Sequence, residues 1–338
     1  MALLELLIIA VCSVIVAKSS DVVVEKSVLL SKFFKVSPFV IGLVLVGTAT
    51  NLPELTIAIV SSVAGGSGAI SAGNVFGANI TNIALVFGLG ALLYGFVADG
   101  RSMKSAMLAL GISILVGAYV LAKVWLFGGG LGVLDGVFML LVFVWFAYKS
   151  IYEKEAEKPV TYEDVLEKMR NPDAKEKKKE KPLERKEGLA ALGVFLAAVA
   201  VLLVASYFIL QSAISLSDEF GVTRGFVGAT IVSLGTTLPE LSVALQAFRK
   251  KQYGIGLGDT LGSVITNATL VLGAASLFTL VLTPVSVFAV AVVFAVFAIM
   301  IFMFLGAIGE EFRWQKGVAL LLLYVAYLAA IAYVQMHP

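Results

Sequence analysis

Apolar stretches separated by short polar intervals follow one another along almost the whole chain. Ten are long enough to cross a hydrocarbon layer as helices, at about 2–24, 37–63, 69–95, 102–122, 130–150, 188–214, 225–248, 254–280, 284–306 and 314–335. They are of two kinds. The second, third, seventh and eighth carry glycines, Thr, Asn and acidic residues, whereas the other six are plainer runs of Leu, Val, Ala and Phe. One long polar interval, 149–187, separates the fifth from the sixth and holds twelve Lys/Arg and eleven Asp/Glu, including Lys175-Glu176-Lys177-Lys178-Lys179-Glu180-Lys181. Mixed charge at that density is solvated rather than packed. The reading there is a linker with one helix around Tyr162–Met169 and no acidic loop of the kind that senses calcium. The chain therefore divides into a first five-helix block at 1–150, a charged linker at 151–187 and a second five-helix block at 188–338.

The two blocks resemble each other. Gly47-Thr48-Ala49-Thr50-Asn51-Leu52-Pro53-Glu54 recurs as Ser233-Leu234-Gly235-Thr236-Thr237-Leu238-Pro239-Glu240. Aligning 36–93 with 222–278, with one residue of slack, also lays Gly73-Asn74-Val75-Phe76-Gly77-Ala78-Asn79-Ile80-Thr81-Asn82 on Gly258-Asp259-Thr260-Leu261-Gly262-Ser263-Val264-Ile265-Thr266-Asn267. Five helices is an odd number, so the second block enters the membrane from the opposite side. Inverted repeats with interrupted helices at mid-membrane are the organisation of secondary transporters. The expected fold class is an all-α integral membrane protein of ten transmembrane helices, built as two inverted five-helix repeats with broken helices at the centre.

Composition agrees with this class: 59% of residues are apolar, 14% are charged and the mean hydropathy is +0.98. A single cysteine, Cys12, excludes an intrachain disulfide or a thiolate metal site, and a single histidine, His337, leaves none for a buried mechanism. The first stretch lacks a basic leading region and carries Glu5, so it reads as a membrane helix rather than a cleaved leader. Basic residues orient the chain. With the N-terminus outside, the inner intervals receive Lys18, Lys26, Lys32, Lys35, Arg101, Lys104, the twelve of the linker, Arg249, Lys250, Lys251, Arg313 and Lys316. The outer intervals receive only Lys123 and Arg224. Twenty-three against two puts both termini outside and the linker in the cytoplasm, in a multi-pass protein of the cell membrane. The expected partners are transported ions and the lipid bilayer, with no nucleic acid and no obligatory protein partner.

The chemistry lies in the repeated octapeptide. A carboxylate at membrane depth is costly and is usually functional. Proline removes one helix hydrogen bond and releases a carbonyl one turn back, near Ala49/Thr50 and near Gly235/Thr236. Each copy thus supplies a carboxylate and loose backbone oxygens, which is what an oxygen-preferring cation requires. Across an inverted-repeat axis, Glu54 and Glu240 face each other and neutralise one divalent ion. Asn82 and Asn267 close the second motif of each block and read as ligands or supports of that site, where the bland alternative is helix-to-helix glue. Thr50, Thr81, Thr236, Thr237, Ser263 and Thr266 offer further oxygens, against the alternative of bonding back to their own helices. Gly73, Gly77, Gly258 and Gly262 read as close-packing positions. Asp259 stands where the first block has Asn74; it fits a proton carrier, a helix-start residue or a partner of the ion ligands. Asp135 reads as interfacial, and Glu310 and Glu311 as solvated.

On these motifs the chain resembles the cation/calcium exchanger superfamily, which includes sodium/calcium and proton/calcium exchangers. The resemblance spans nearly the whole chain and is most specific at Thr50-Asn51-Leu52-Pro53-Glu54-Leu55 and Thr236-Thr237-Leu238-Pro239-Glu240-Leu241. It implies calcium as transported substrate, bound by the side chains of Glu54 and Glu240 and the carbonyls of Thr50 and Thr236. Asn51, Thr237, Asn82, Asn267, Ser263 and Asp259 are then the candidates for holding the counter-ion or supporting the calcium ligands. Sodium-coupled members typically carry Ser where this chain has Asn51, Thr237 and Ala78, and commonly an Asp at one of the positions of Asn82 and Asn267. Losing that acid removes charge that several sodium ions would balance. Protons need no cage, because two carboxylates that release calcium can each take one up. The expectation is calcium/proton antiport, with sodium/calcium exchange at the same calcium site as the alternative. An intramembrane hydrolase is disfavoured for want of a nucleophile–base set or a His/Glu metal set. A channel, and transport of another divalent ion such as Mn²⁺, remain as rivals for a flux assay.

Overall fold

The computed structural model describes residues 2–63, 69–98, 100–127, 130–152, 185–219, 233–278 and 285–336. The helix expected around 162–169, Arg224 and His337 lie outside them. In chain order the helices are α1 (Ala2–Phe34), α2 (Pro38–Thr50), α3 (Leu52–Val63), α4 (69–93), α5 (Gly100–Phe127), α6 (Val133–Tyr152), α7 (Arg185–Glu219), α8 (Ser233–Thr236), α9 (Leu238–Arg249), α10 (Tyr253–Phe278), α11 (Val285–Ile308) and α12 (Trp314–Met336). Among the described residues, eight are long and apolar enough to cross a membrane, and a ninth crossing follows if the bent pair α2–α3 counts as one. The seventh apolar stretch is described only from Ser233 onwards, as α8 and α9.

The first helix is longer than the apolar stretch that predicts it, running 33 residues to Phe34. Leaving the hydrocarbon layer removes the need for apolar side chains but not the backbone hydrogen bonds, so Glu25 and Lys26 continue the helix. It stops where Lys35 turns to φ 56° and the Val36 amide bonds back to the Ser31 carbonyl at 3.0 Å, a Schellman-type end. The Ser37 side chain then accepts from the Val40 amide and Pro38 opens α2. Helices α1 and α7 lie along each other. Their shared apolar seam, including Val23, Leu30, Phe195 and Leu202, rests on Val46, Val243 and Ile255 of the inner helices.

The inner helices are α2–α3, α4, α8–α9 and α10. In the spans of α4 and α10, 83% of the apolar window is buried, against 22–39% in the plainer spans. This is why the motif-bearing stretches tolerate so many polar residues: they face protein, not lipid. Three of these helices widen into π-helical turns at Ile41–Val46, Thr81–Val86 and Asn267–Val271, a distortion that concentrates at functional sites. Helix α2 meets α10 backbone to backbone. A Cβ on Gly42 would sit 2.6 Å from the Ile255 carbonyl oxygen, and one on Gly258 or Gly262 would collide with the backbone of α2 at Phe39 or Leu43. Gly258 and Gly262 therefore pack as expected, whereas a Cβ on Gly73 would meet nothing within 4 Å among the described residues.

A test follows from this crossing. Gly262→Ala is expected to lower stability by about 1–3 kcal/mol through overpacking, read as a fall in Tm of the purified protein. Gly111→Ala in α5, where a Cβ has open space, should leave Tm unchanged or raise it slightly.

At one end of the bundle a two-residue antiparallel pair, β1 (Phe96–Val97) with β2 (Glu311–Phe312), ties two loops together, and Phe96 stacks on both Phe312 and Phe248. Lys316 donates to the Leu305 and Gly309 carbonyls at 2.6 Å each and caps the end of α11. Glu311 pairs with Arg313 in an exposed position, in line with its solvated reading. Asp135, read as interfacial, is mostly buried. It accepts from the Gly132 amide at 2.7 Å, from Tyr119 and from Lys123, so it caps α6 rather than facing water.

Candidate functional site

Each octapeptide breaks its helix where proline withdraws a donor. The first break is Asn51 (φ −77°, ψ 6°), between α2 and α3, where the axis bends by 40°. The second is Thr237 (φ −85°, ψ 2°), between α8 and α9. Thr50 and Thr236 thus end one half-helix, with the negative end of its dipole towards the break, and Glu54 and Glu240 occupy the first turn of the next.

Glu54 is 1% exposed and Glu240 is 0% exposed. None of their four carboxylate oxygens has a hydrogen-bond partner. Glu54 lies within electrostatic reach of Glu240, with Thr236 beside it; Thr50 lies beside Glu240. Two unpartnered carboxylates in a dry interior repel each other and lack the solvation they would have in water, a state that a bound cation relieves.

The surrounding contacts come in matched pairs. The Thr50 hydroxyl donates towards the Gly47 carbonyl (3.4 Å) and Asp259 Oδ1 (3.2 Å), and the Thr236 hydroxyl towards the Ser233 carbonyl (3.2 Å) and Asn74 Oδ1 (3.4 Å). A Cβ on Gly47 would sit 3.0 Å from Gly262, and one on Gly77 would sit 2.9 Å from the Ser233 hydroxyl. Under the sequence alignment of the two blocks, each contact is the image of the other. Elements of one block therefore pack against the matched elements of its partner.

The other expected residues lie buried on the same inner helices. Asn82 (1% exposed) and Asn267 (0%) stand in or at the start of π-helical turns, and neither nitrogen nor oxygen of either carboxamide has a partner. Asn51 donates from Nδ2 to the Gly47 carbonyl at 2.5 Å and keeps Oδ1 unpartnered. The Thr237 hydroxyl donates to Ser233 (2.8 Å) and that of Thr81 to Gly77 (2.9 Å), so both bond back to their own helices. Ser263 reaches across to the Gly47 carbonyl at 3.5 Å, and the Thr266 hydroxyl has no partner. Asp259 is fully buried, with Oδ2 unpartnered. Among the described residues, no three His, Cys, Asp or Glu side chains converge on a common metal position. A cation placed between the two glutamates would have to complete its shell with neutral oxygens, as suits a hard ion.

Sequence reasoning passed over Asn79. Its Nδ2 donates to the Val264 carbonyl at 3.2 Å, joining α4 to α10, and its Oδ1 has no partner. The signal was its place in the first glycine-rich motif, where the second block has Val264.

The model of the sodium/calcium exchanger protein family matches residues 4–152 and 190–333. Over 99% of its length the chain is 33% identical to the whole of the sodium/calcium exchanger MaX1 of Methanosarcina acetivorans. It is 30% identical to the putative antiporter CaxA of Alkalimonas amylolytica, over 77% of this chain and 76% of that protein. Its fold is similar to that of the sodium-calcium exchanger NCX_Mj. The structure of that exchanger soaked with 10 mM Na⁺ and zero Ca²⁺ superposes with a TM-score of 0.78 at 25% identity, covering 97% of this chain and 99% of the other.

Proposed function

The chain belongs to the sodium/calcium exchanger family, within the cation/calcium exchanger superfamily, and on that premise we propose that it is a calcium antiporter working by alternating access. The observation that carries the reading is the pair Glu54 and Glu240, within electrostatic reach of each other, buried and without hydrogen-bond partners at two matched helix breaks. Calcium binds between the two carboxylates, and the carbonyls of Thr50 and Thr236 complete its shell. The chain crosses the cell membrane ten times as two inverted repeats, with both termini outside and the linker in the cytoplasm. The matched contacts of Thr50 with Asp259 and of Thr236 with Asn74 support that symmetry. Helices α1 and α7 move as one unit over the inner helices and open the site to either side. Calcium and counter-ion compete for the same carboxylates, which couples their fluxes without any long-range signal.

Sodium is the counter-ion we favour. A full-length relative is named a sodium/calcium exchanger, and the carboxamide oxygens of Asn51, Asn82 and Asn267 are buried without partners on the inner helices. The proton reading retains support from the absent serine at Ala78 and the amide at Asn267. One assay separates them: ⁴⁵Ca²⁺ uptake into proteoliposomes under an outward sodium or an outward proton gradient. The expected result is uptake that requires internal sodium. Uptake driven by protons with sodium absent would make the two glutamates the proton carriers, and uptake needing no counter-ion on the far side would make the protein a channel. Mn²⁺ competing with calcium at equal concentration would broaden the substrate to divalent ions of similar ligand preference.

A further inference from the structure

The plain outer helices of the two blocks match as the inner ones do. In α6 a Cβ on Gly136 would sit 2.6 Å from the Gly273 carbonyl oxygen, and in α12 one on Gly317 would sit 2.8 Å from that of Gly88. Gly88 and Gly273 are images under the alignment of the blocks, and the leucine four residues on, Leu321 or Leu140, lies over each of them. This register sets Phe143 and Phe146 of α6 against Tyr324 and Tyr327 of α12. Phe146 and Tyr327 are equally buried, at 2% and 3% exposed. A bare ring thus suffices at the matched position, and packing does not account for the Tyr327 hydroxyl. That hydroxyl lies at the start of α8. A Cβ on Gly77 would sit 3.3 Å from Tyr327 Oη and 2.9 Å from Ser233 Oγ, so the two oxygens flank one spot on α4. Ser233 is 5% exposed and its hydroxyl has no partner, an arrangement that is costly for a buried polar group. In the first block Gly47 stands at the position of Ser233 and Phe146 at that of Tyr327. One repeat carries both hydroxyls and the other carries neither.

We propose that Tyr327 and Ser233 are positioning residues, whose hydroxyls bond to each other in only one of the two access states and so make those states unequal. Ser233 opens α8, and the carbonyl of its last residue, Thr236, is a proposed calcium ligand. The Ser233 carbonyl accepts from the Thr236 and Thr237 hydroxyls, so a displacement of Ser233 is passed on to the ligand turn. Helix α8 also lies directly against the moving unit: a Cβ on Gly235 would sit 2.4 Å from the Leu210 side chain of α7. Movement of α7 thus shifts the Ser233 hydroxyl relative to the phenol, which α12 holds against α4 through the close approach of Gly317 to Gly88. Were the inverted repeats identical, the inward- and outward-facing states would be mirror images of equal free energy. A hydrogen bond available in one repeat alone tips that balance. It raises the apparent calcium affinity on the face open in the favoured state and lowers it on the other. The inference rests on the alternating-access reading and leaves the calcium ligands as they are.

The test uses the full chain in right-side-out and inverted membrane vesicles, with half-saturating calcium for Ca²⁺/Ca²⁺ self-exchange read on each face. Tyr327→Phe keeps the ring and should leave the Tm of the purified protein close to that of the wild type. It is expected to move the two half-saturating values in opposite directions and to change their ratio about three- to tenfold. Ser233→Ala should shift the ratio in the same sense by a similar factor. Because each variant removes the same bond, the double variant should shift the ratio no further than either alone. An unchanged ratio in either variant overturns the inference, and so do additive shifts, which would mean that the hydroxyls act separately. Equal weakening on both faces overturns it as well, and makes Tyr327 a packing residue felt by both states. Each of these outcomes leaves calcium antiport standing. A wild type that does not self-exchange calcium overturns that reading and this inference together.

Discussion

Glu240→Gln is expected to abolish calcium transport while leaving the fold intact. The substitution keeps the shape of the side chain and removes only its charge. Removing one partner from a buried charge interaction costs about 3–5 kcal/mol, which corresponds to a loss of calcium affinity between roughly 10²-fold and several thousandfold. Glu54→Gln should behave alike, because the two residues occupy matched positions at matched helix breaks. Thermal unfolding separates this from simple destabilisation. Without calcium, each variant should melt at or above the wild-type temperature, because one of two mutually repelling, unpartnered carboxylates is gone. With calcium at about a hundred times its dissociation constant, the wild type should gain about 2.7 kcal/mol and the variants almost nothing. Wild-type ⁴⁵Ca²⁺ flux in either variant would remove the glutamate pair from the mechanism.

A disulfide between positions 20 and 242 is expected to stop transport reversibly. Ser20 of α1 and Ser242 of α9 have their hydroxyl oxygens 2.8 Å apart, so cysteines there are within reach of a bridge. They can be introduced with Cys12→Ala to leave no other thiol. If α1 and α7 travel over the inner helices, this bridge pins the moving unit to the stationary one. Oxidation should then reduce uptake at least about tenfold, and a reductant should restore it. The same seam carries polar contacts suited to breaking and re-forming: Lys250 meets Asp21 at 2.8 Å, and Gln246 donates to the Ala17 carbonyl at 3.3 Å. It also holds a cleft of about 270 Å³ lined by Val24, Glu25, Val28, Leu29, Lys250 and Gln252. A short flexible bridge between cysteines at positions 5 and 215 is the contrast. Glu5 and Ser215 are already in contact between α1 and α7, and a link inside the moving unit should cost little. Full transport with the 20–242 bridge formed would show that α1 does not move against α9.

Much of this architecture is written in the order of residues. The two glutamates were legible because a carboxylate behind a proline within an apolar run has no ordinary explanation, and it occurs twice. The roles of α4 and α10 were legible because their glycines and amides contrast with the plain stretches around them. Helix α1 was misjudged in length: hydropathy reports where lipid ends, whereas the helix ends where Lys35 and Ser37 terminate its hydrogen bonding. Asp135 read as interfacial, but its cap on α6 depends on Tyr119 and Lys123, which arrive from the preceding helix. Asn79 was overlooked because its partner is a backbone carbonyl, and a carbonyl leaves no mark in a side-chain pattern.

The sequence by itself determined that the chain lives in a membrane, that its halves are copies, and that each copy breaks a helix beside a glutamate. Those features follow from local physics: apolar length, the missing amide of proline, and the cost of a charge in lipid. Only the tertiary structure decided what faces what. Thr50 could have bonded solely to its own helix, yet it also meets Asp259, 209 residues away. Asp259 read equally well as a helix-start residue, and it is a buried acid beside Glu240. Such pairings depend on which face one half presents to the other, and that is set by the backbone contact of Gly42, Gly258 and Gly262, where a Cβ would collide.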